Sequence, residues 1–307
     1  MAQLPHVKSY DKVAIDAAAA IVRAGGIVAV PTETVYGLAA DARNAAAVAC
    51  IYAAKGRPSF NPLIVHVPDL AAAERIASFD DDARALAARF WPGPLTLILP
   101  LRADAGIAGI VTAGLDTIAL RVPAHRAMQA LLAATGSPLA APSANASNGI
   151  SPTRAAHVAA SLGARVPLIV DDGATSAGLE STIVAGRTIL RPGPITQDML
   201  ATVLPVAPGA TAHVSAPGQL RTHYAPSKPL RLAVTRSQPD EWLIGFGAVA
   251  GDDTLSAAGD PVAAAAALFD ALHRADASDR TRIAVAPIPD TGIGVAINDR
   301  LRRAAAR

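Results

Sequence analysis

Apolar residues recur at helical spacing from Val13 to Arg23, and Gly25-Gly26 interrupts them before a short, wholly apolar run beginning at Ile27. This pattern predicts a helix feeding a buried strand. A helix over Ala45 to Lys55 then leads into Leu63-Ile64-Val65-His66-Val67, and a helix over Asp80 to Phe90 stops at Trp91-Pro92-Gly93-Pro94 before the strand Leu95 to Leu99. Further apolar runs stand at Thr117 to Val122, Pro138 to Ala141, Pro167 to Val170, Ser181 to Val184 and Thr188 to Leu190. Helices over Ala124 to Ala134 and Thr153 to Leu162 lie between them. Short apolar runs alternating with helices predict an α/β domain built on a mixed sheet.

After Leu204 the periodicity fades into Pro205, Pro208, Gly209, Pro217, Gly218, Pro226 and Pro229. This stretch is long for a mere connection, and it carries Arg221-Thr222-His223-Tyr224. It fits a tether or an ordered lid. Beyond it, strand-like runs at Leu230 to Val234, Trp242 to Phe246 and Arg282 to Ala286 alternate with helices at Pro261 to Arg274 and Gly294 to Ala305, the grammar of a small parallel sheet. The expected organisation is a domain over residues 1–204, a linker or lid over 205–229 and a small α/β domain over 230–307.

Composition narrows the class. The 307 residues are 51% hydrophobic and 17% charged, enough for two packed cores and incompatible with whole-chain disorder. A formal net charge of +2 and 4% aromatic residues do not describe a dedicated nucleic-acid binder. The single cysteine, Cys50, can form no internal disulfide, and on a helix with no neighbouring histidine it is expected to be a small buried apolar residue. The segment around Pro5, His6, Lys8 and Asp11 lacks the apolar core of a secretory signal, and no apolar run has membrane-spanning length. A soluble, cytoplasmic protein with no membrane partner is expected.

Only four lysines occur, and one opens Lys55-Gly56-Arg57-Pro58, followed by Asn61-Pro62 and by His66 on the adjoining strand. Two cations leaving a helix at a Gly-Pro break suit a phosphate. Pro31-Thr32-Glu33-Thr34-Val35-Tyr36-Gly37-Leu38 follows a buried strand, so its hydroxyls either meet a ligand at the strand end or make a capped turn, with Thr34 as cap and Tyr36 in the core. Arg121, near the end of an apolar strand, requires a partner: a core acid or a ligand carboxylate. Small and hydroxyl residues in Ala141-Pro142-Ser143-Ala144-Asn145 and at Ser151 precede a helix, where they serve an anion or a plain turn. Glu180-Ser181-Thr182 and Arg191-Pro192-Gly193-Pro194 repeat the device of polar groups at strand ends. The basic terminus, Arg300, Arg302, Arg303 and Arg307, reads as a solvated helix end. No Gly-x-Ser-x-Gly elbow, His-Glu-x-x-His or Walker loop is present.

Together these motifs, with Trp91-Pro92-Gly93-Pro94-Leu95-Thr96 and the linker His223-Tyr224-Ala225-Pro226, resemble the L-threonylcarbamoyladenylate synthases in their two-domain form. The resemblance covers nearly all of the first domain. It implies a YrdC-like open twisted mixed sheet with flanking helices, followed by a small Rossmann-like α/β domain. It also implies a nucleotidyl transfer: L-threonine, bicarbonate and ATP give threonylcarbamoyl-AMP and pyrophosphate, for later modification of a tRNA adenosine beside the anticodon. By motif position, Thr34, His66, Arg121, Ala141 and Ser181 would surround threonine. Lys55, Arg57, Asn61, Thr117, Ser143, Asn145, Ser151 and Arg191 would hold ATP, with Tyr224 reaching over it and Lys55 and Arg57 acting on the phosphates. Mg2+ would arrive with ATP, with no protein metal site, and a tRNA threonylcarbamoyl transferase machinery would act downstream. Direct tRNA binding is not indicated.

Two other readings compete. An RNA-binding YrdC-like module would bind RNA with steep salt dependence and turn over no ATP. A carbamoyl-phosphate-dependent relative would carry a zinc-finger or acylphosphatase segment, and the single cysteine leaves no room for the former.

Overall fold

The computed structural model describes residues 5–209 and 223–306, so Arg221, Thr222 and Arg307 lie outside the described residues. Its first four helices start where the sequence offers an acidic or amide side chain to otherwise unpaired amides. Asp11 accepts from Ala14 N ahead of α1 (Lys12–Arg23), Asn44 from Ala46 and Ala47 ahead of α2 (Ala45–Lys55), Asp69 from Ala72 ahead of α3 (Leu70–Glu74) and Asp80 from Ala83 ahead of α4 (Asp81–Phe90). Each such cap is worth about 1 kcal/mol. The remaining helices of this part are α5 (Gly109–Thr112), α6 (Arg126–Thr135), α7 (Ala155–Leu162) and α8 (Gln197–Ala201).

Eleven strands form one mixed sheet. They are β1 (His6–Ser9), β2 (Val28–Pro31), β3 (Tyr36–Asp41), β4 (Ile64–His66), β5 (Leu95–Pro100), β6 (Thr117–Arg121), β7 (Leu139–Ala140), β8 (Leu168–Asp171), β9 (Thr182–Ala185), β10 (Thr188–Arg191) and β11 (Ala207–Pro208). Their order is β1-β8-β2-β3-β7-β4-β6-β5-β9-β10-β11. The apolar runs read from the sequence become strands, with ends shifted by a residue or two. Three strands do not follow from the pattern: β1 is exposed throughout, β3 returns antiparallel to β2 after the turn Thr32 to Val35, and β11 pairs with β10 from within the stretch expected to be a linker or lid. Thr34 therefore caps no helix, whereas Tyr36 is a core residue whose hydroxyl donates to the Gly173 carbonyl at 2.7 Å. The buried positions of α2 (Ala47, Val48, Ile51, Tyr52, Ala54 and Lys55) leave Cys50 on the opposite face, so the expectation of a buried cysteine fails.

The second part carries β12 (Leu230–Arg231), β13 (Glu241–Gly245), β14 (Asp253–Thr254) and β15 (Arg282–Val285) in a parallel sheet of order β12-β15-β13-β14. It is covered by α9 (Pro261–Ala277) and α10 (Gly294–Ala305). Its core does not close on itself. Val35, Ile150 and Leu179 of the first part and Tyr224 of the connecting segment pack into one apolar cluster with Leu268, Phe269 and Ile297. Gly178 makes that approach possible: its φ is +68°, and an added Cβ would stand 2.5 Å from the Ala265 carbonyl and Ala266 Cα on α9. Gly178→Ala is expected to cost more than the roughly 1–2 kcal/mol of a left-handed residue, read as a lower urea midpoint.

The same junction holds a stacked histidine pair. His157 of α7 and His273 of α9 lie with ring centroids 3.8 Å apart at 20°. His157 Nδ1 accepts from Thr153 N at 3.2 Å, which leaves its Nε2 hydrogen facing Asp270 Oδ1 at 3.2 Å, while His273 Nε2 donates to the Ser151 carbonyl at 3.1 Å. Burial, then the neighbouring His273, pushes His157 down to about 4, and burial lowers His273 as well. An unfolded histidine titrates near 6.5, so between that value and 4 the unfolded chain binds more protons. Stability is thus fully present above about 6.5 and is lost as pH falls towards 4. The melting temperature is expected to drop across this window, and His157→Gln is expected to flatten the profile.

Candidate active site

One edge of the large sheet collects polar groups because strands of both directions turn there. The carboxyl ends of β4 and β6 are in register, with His66 opposite Arg121, and the amino ends of β5 and β9 are paired alongside, Leu95 opposite Thr182. The turn after β2 brings Thr34 to this edge, Arg191 closes β10 opposite Ile183, and Ser143 bridges to Gly37. A cavity of about 50 Å³ lies between them.

Arg121 organises one side. Its Nη1 donates to Thr34 Oγ1 at 2.9 Å and its Nε to the Gly93 carbonyl at 3.1 Å, while Nη2 stands 2.6 Å from Glu33 Oε1 as an ion pair without an aligned hydrogen bond. The core acid considered from the sequence is therefore present, and Arg121 nevertheless lines the cavity. His66 is 2% exposed, and burial followed by the Arg121 charge pushes it down to about 3, so the ring is neutral. Among the described residues its Nδ1 has no hydrogen-bond partner, a cost that a hydrogen-bonding ligand would relieve. Ser181 Oγ pairs with Thr96 Oγ1 at 2.7 Å and accepts from Arg191 Nη2 at 3.2 Å. Thr34, His66, Arg121, Ala141 and Ser181 all line the one cavity.

The other side is cationic. Gly56, with φ of 59°, ends α2 in the left-handed conformation and turns the chain so that Lys55 and Arg57 diverge. Arg57 is held by the Asn61 carbonyl at 3.2 Å and the Pro62 carbonyl at 2.9 Å, and burial pushes it down to about 10. Lys55 Nζ donates to the carbonyls of Ser143 and Asn145, and burial, then Arg57 and Arg165, holds it well below the usual lysine range. His223 sits among Arg57, Lys55, Arg191 and Arg300, and burial followed by those charges drives its pKa far down. Tyr224, at φ +64°, stacks obliquely on His223 at 4.1 Å and is 1% exposed. The adjoining Ala225 N donates to the Asn148 carbonyl at 2.8 Å, pinning the connecting segment at the rim.

Of the residues linked by motif to ATP, Arg57, Ser143, Arg191 and Tyr224 line the cavity. Lys55, Asn145 and Ser151 form the layer behind it: Asn145 Nδ2 donates to the Ala146 and Gly149 carbonyls and Ser151 Oγ to Glu180 Oε1. Asn61 is buried beneath Arg57. Thr117 opens β6 opposite Pro100, about 13 Å along the strand from Arg121, and stands apart from the cluster.

Three participants do not emerge from the sequence reading. Glu33 and Glu180 lie inside the motifs without an assigned role, and Arg300, expected to be a solvated helix end, is 0% exposed and pairs with Glu180. The signal for Arg300 was its spacing: Ile297, Leu301 and Ala304 share its face of α10.

A mixed sheet with flanking helices, whose strand ends gather arginines and hydroxyls, followed by a parallel α/β unit, defines a YrdC-like protein in its two-domain form. The family model Sua5_yciO_yrdC, described as telomere recombination, matches residues 20–193, and the model described as threonylcarbamoyl-AMP synthase, C-terminal domain, matches residues 195–306. This chain belongs to that family, as the motif resemblance implied. A Bacillus subtilis relative named threonylcarbamoyl-AMP synthase is 42% identical over 94% of this chain and 92% of its own length. A relative of the same name from Pyrococcus abyssi is 36% identical over 94% and 92%. The crystal structure of P. abyssi Sua5 complexed with L-threonine superposes with a TM-score of 0.88 at 34% identity, covering 98% of this chain and 97% of that one. Among the described residues, no helix is long and apolar enough to cross a membrane.

Proposed function

We propose that this chain makes L-threonylcarbamoyl-AMP from L-threonine, bicarbonate and ATP with release of pyrophosphate. The observation that carries the reading is the convergence, on one cavity, of Arg121 with Thr34, His66 and Ser181 on one side and Arg57 and Arg191 with Ser143 on the other. The first set suits an amino acid: a guanidinium for the carboxylate, and hydroxyls and an unpaired imidazole nitrogen for the ammonium and hydroxyl. The second suits a triphosphate. A surface for RNA would display its cations, whereas Lys55 and Arg191 are 3% and 4% exposed.

The chemistry requires no enzyme nucleophile. Threonine's free amine adds to the carbon of bicarbonate with loss of water, giving a carbamate. A carbamate oxygen then attacks the α-phosphorus, and the bond to the bridging oxygen breaks as pyrophosphate leaves. The protein's contribution is alignment and neutralisation of phosphate charge by Arg57, Arg191 and Lys55. His66, held to about 3, is too weak a base to take the amine proton at neutral pH, and its role is positional. Among the described residues, the cavity offers hydroxyls and one carboxylate, Glu180, already engaged by Arg300 and Ser151. That donor set fits a Mg2+ ion held chiefly by phosphate oxygens and water. When bound, it would neutralise phosphate charge.

The small cavity holds a few waters, so nucleotide entry requires His223 and Tyr224 to move, which supports reading the segment over residues 205–229 as a lid between a catalytic domain at 1–204 and a C-terminal domain at 230–307. The product would pass, in the cytoplasm, to a transferase acting on tRNA. The deciding experiment measures pyrophosphate release from ATP with and without L-threonine and bicarbonate, with L-serine for comparison. Release that requires both is expected. Release indifferent to threonine, or none together with salt-sensitive RNA binding, would return the chain to the RNA-module reading.

A further inference from the structure

Arg300 belongs to α10 of the second part, yet its guanidinium is spent on the walls of the candidate site. Its Nε donates to Glu180 Oε2 at 3.0 Å, Nη2 to the Glu180 carbonyl at 3.3 Å and Nη1 to the Pro192 carbonyl at 2.6 Å. Its central carbon stands 5.5 Å from the centre of the Tyr224 ring, and Asp299 Oδ2 lies 3.1 Å from Nη1. Its partners outside α10 adjoin or belong to the site: Glu180 precedes Ser181, Pro192 follows Arg191, and Tyr224 lines the cavity.

Glu180 makes this arrangement consequential. It is the one carboxylate among the described residues that lines the cavity, where Arg57 and Arg191 also face. A buried carboxylate there opposes a polyphosphate unless a cation neutralises it. Ser151 supplies a hydrogen bond to Oε1 but no charge. Arg57 is bound to carbonyls 61 and 62 and Lys55 to those of Ser143 and Asn145; Lys55 and Arg191 lie within the field of Glu180, while among the described residues Arg300 is the cation that hydrogen-bonds its carboxylate.

We propose that Arg300 is a positioning residue through which the second part sets the nucleotide affinity of the site, by neutralising Glu180. The inference rests on reading the cavity as a nucleotide site. It gives the second part a role in binding ATP beyond anchoring the connecting segment.

The test compares the intact chain with Arg300→Gln, Arg300→Lys, Glu180→Gln and the double variant Arg300→Gln/Glu180→Gln. The readouts are Kd for ATP by equilibrium dialysis, KM for ATP and for threonine, and melting temperature. Arg300→Gln is expected to raise Kd and KM for ATP at least tenfold while KM for threonine stays within threefold. In the Glu180→Gln background the same substitution is expected to change Kd for ATP less than threefold, because no charge remains to neutralise. An equal loss in both backgrounds overturns the proposal, as does a lowered melting temperature with unchanged Kd. Should Arg300→Gln fail to fold, Arg300→Lys decides: it keeps the charge and should bind ATP within threefold of the original chain, and a tenfold loss overturns the proposal. Dialysis needs no turnover. A chain that binds ATP but releases no pyrophosphate would sink the proposed reaction, while Kd would still decide the role of Arg300.

Discussion

Arg57→Ala is expected to slow threonine- and bicarbonate-dependent pyrophosphate release about 100- to 1000-fold, roughly 2.7–4 kcal/mol of transition-state stabilisation, by analogy with a deleted oxyanion donor. The guanidinium is fixed before any ligand arrives, by the carbonyls of Asn61 and Pro62, and at about 10 its pKa leaves it cationic at neutral pH. Such a donor costs no reorganisation when charge develops on the phosphates. Its removal also strips two carbonyls of a partner, so melting is followed alongside the rate. A rate within a few-fold of the original, in a folded variant, would take Arg57 out of the chemistry.

Arg121→Ala should be the more damaging change to the fold. Arg121 is 3% exposed and its removal leaves Glu33 buried without its ion-pair partner, a loss typically worth about 3–5 kcal/mol. Removing the acid as well, in Arg121→Ala/Glu33→Gln, should recover most of that stability, because no buried charge remains unpaired. It should not recover saturation by threonine, whose carboxylate would have lost its guanidinium partner. Urea denaturation reads the first effect and KM for threonine the second. A double variant that binds threonine as well as the original chain would show that Arg121 serves only the core.

These residues also mark how far the sequence could be read. Helix α2 and its break at Gly56 followed from apolar spacing and a glycine, and the diverging Lys55 and Arg57 were visible at once. His66 and Arg121 stood out because a titratable group at the end of an apolar strand needs a reason, although only the sheet register showed that they are neighbours. Strand β3 was hidden because its tight turn, Thr32 to Val35, carries cavity-lining hydroxyls in place of the glycines that advertise a hairpin. Cys50 was misplaced because an alanine-rich helix gives little contrast between its faces. Arg300 was misread for the opposite reason: its face was apolar, but its chemistry was judged from the cations that follow it in sequence. Long-range partners such as Glu180 and Pro192 belong to the tertiary fold, which local patterns do not encode.

The crowding of buried cations around His223 has a consequence for proton balance. His223 is held well below its ordinary value by burial and by Arg57, Lys55, Arg191 and Arg300, so its ring carries no charge at neutral pH. A polyanion entering that field would favour the protonated ring. Nucleotide binding is then expected to draw protons from solution, which would make the affinity of the site for ATP a function of pH even though the nucleotide itself need not change its own ionisation.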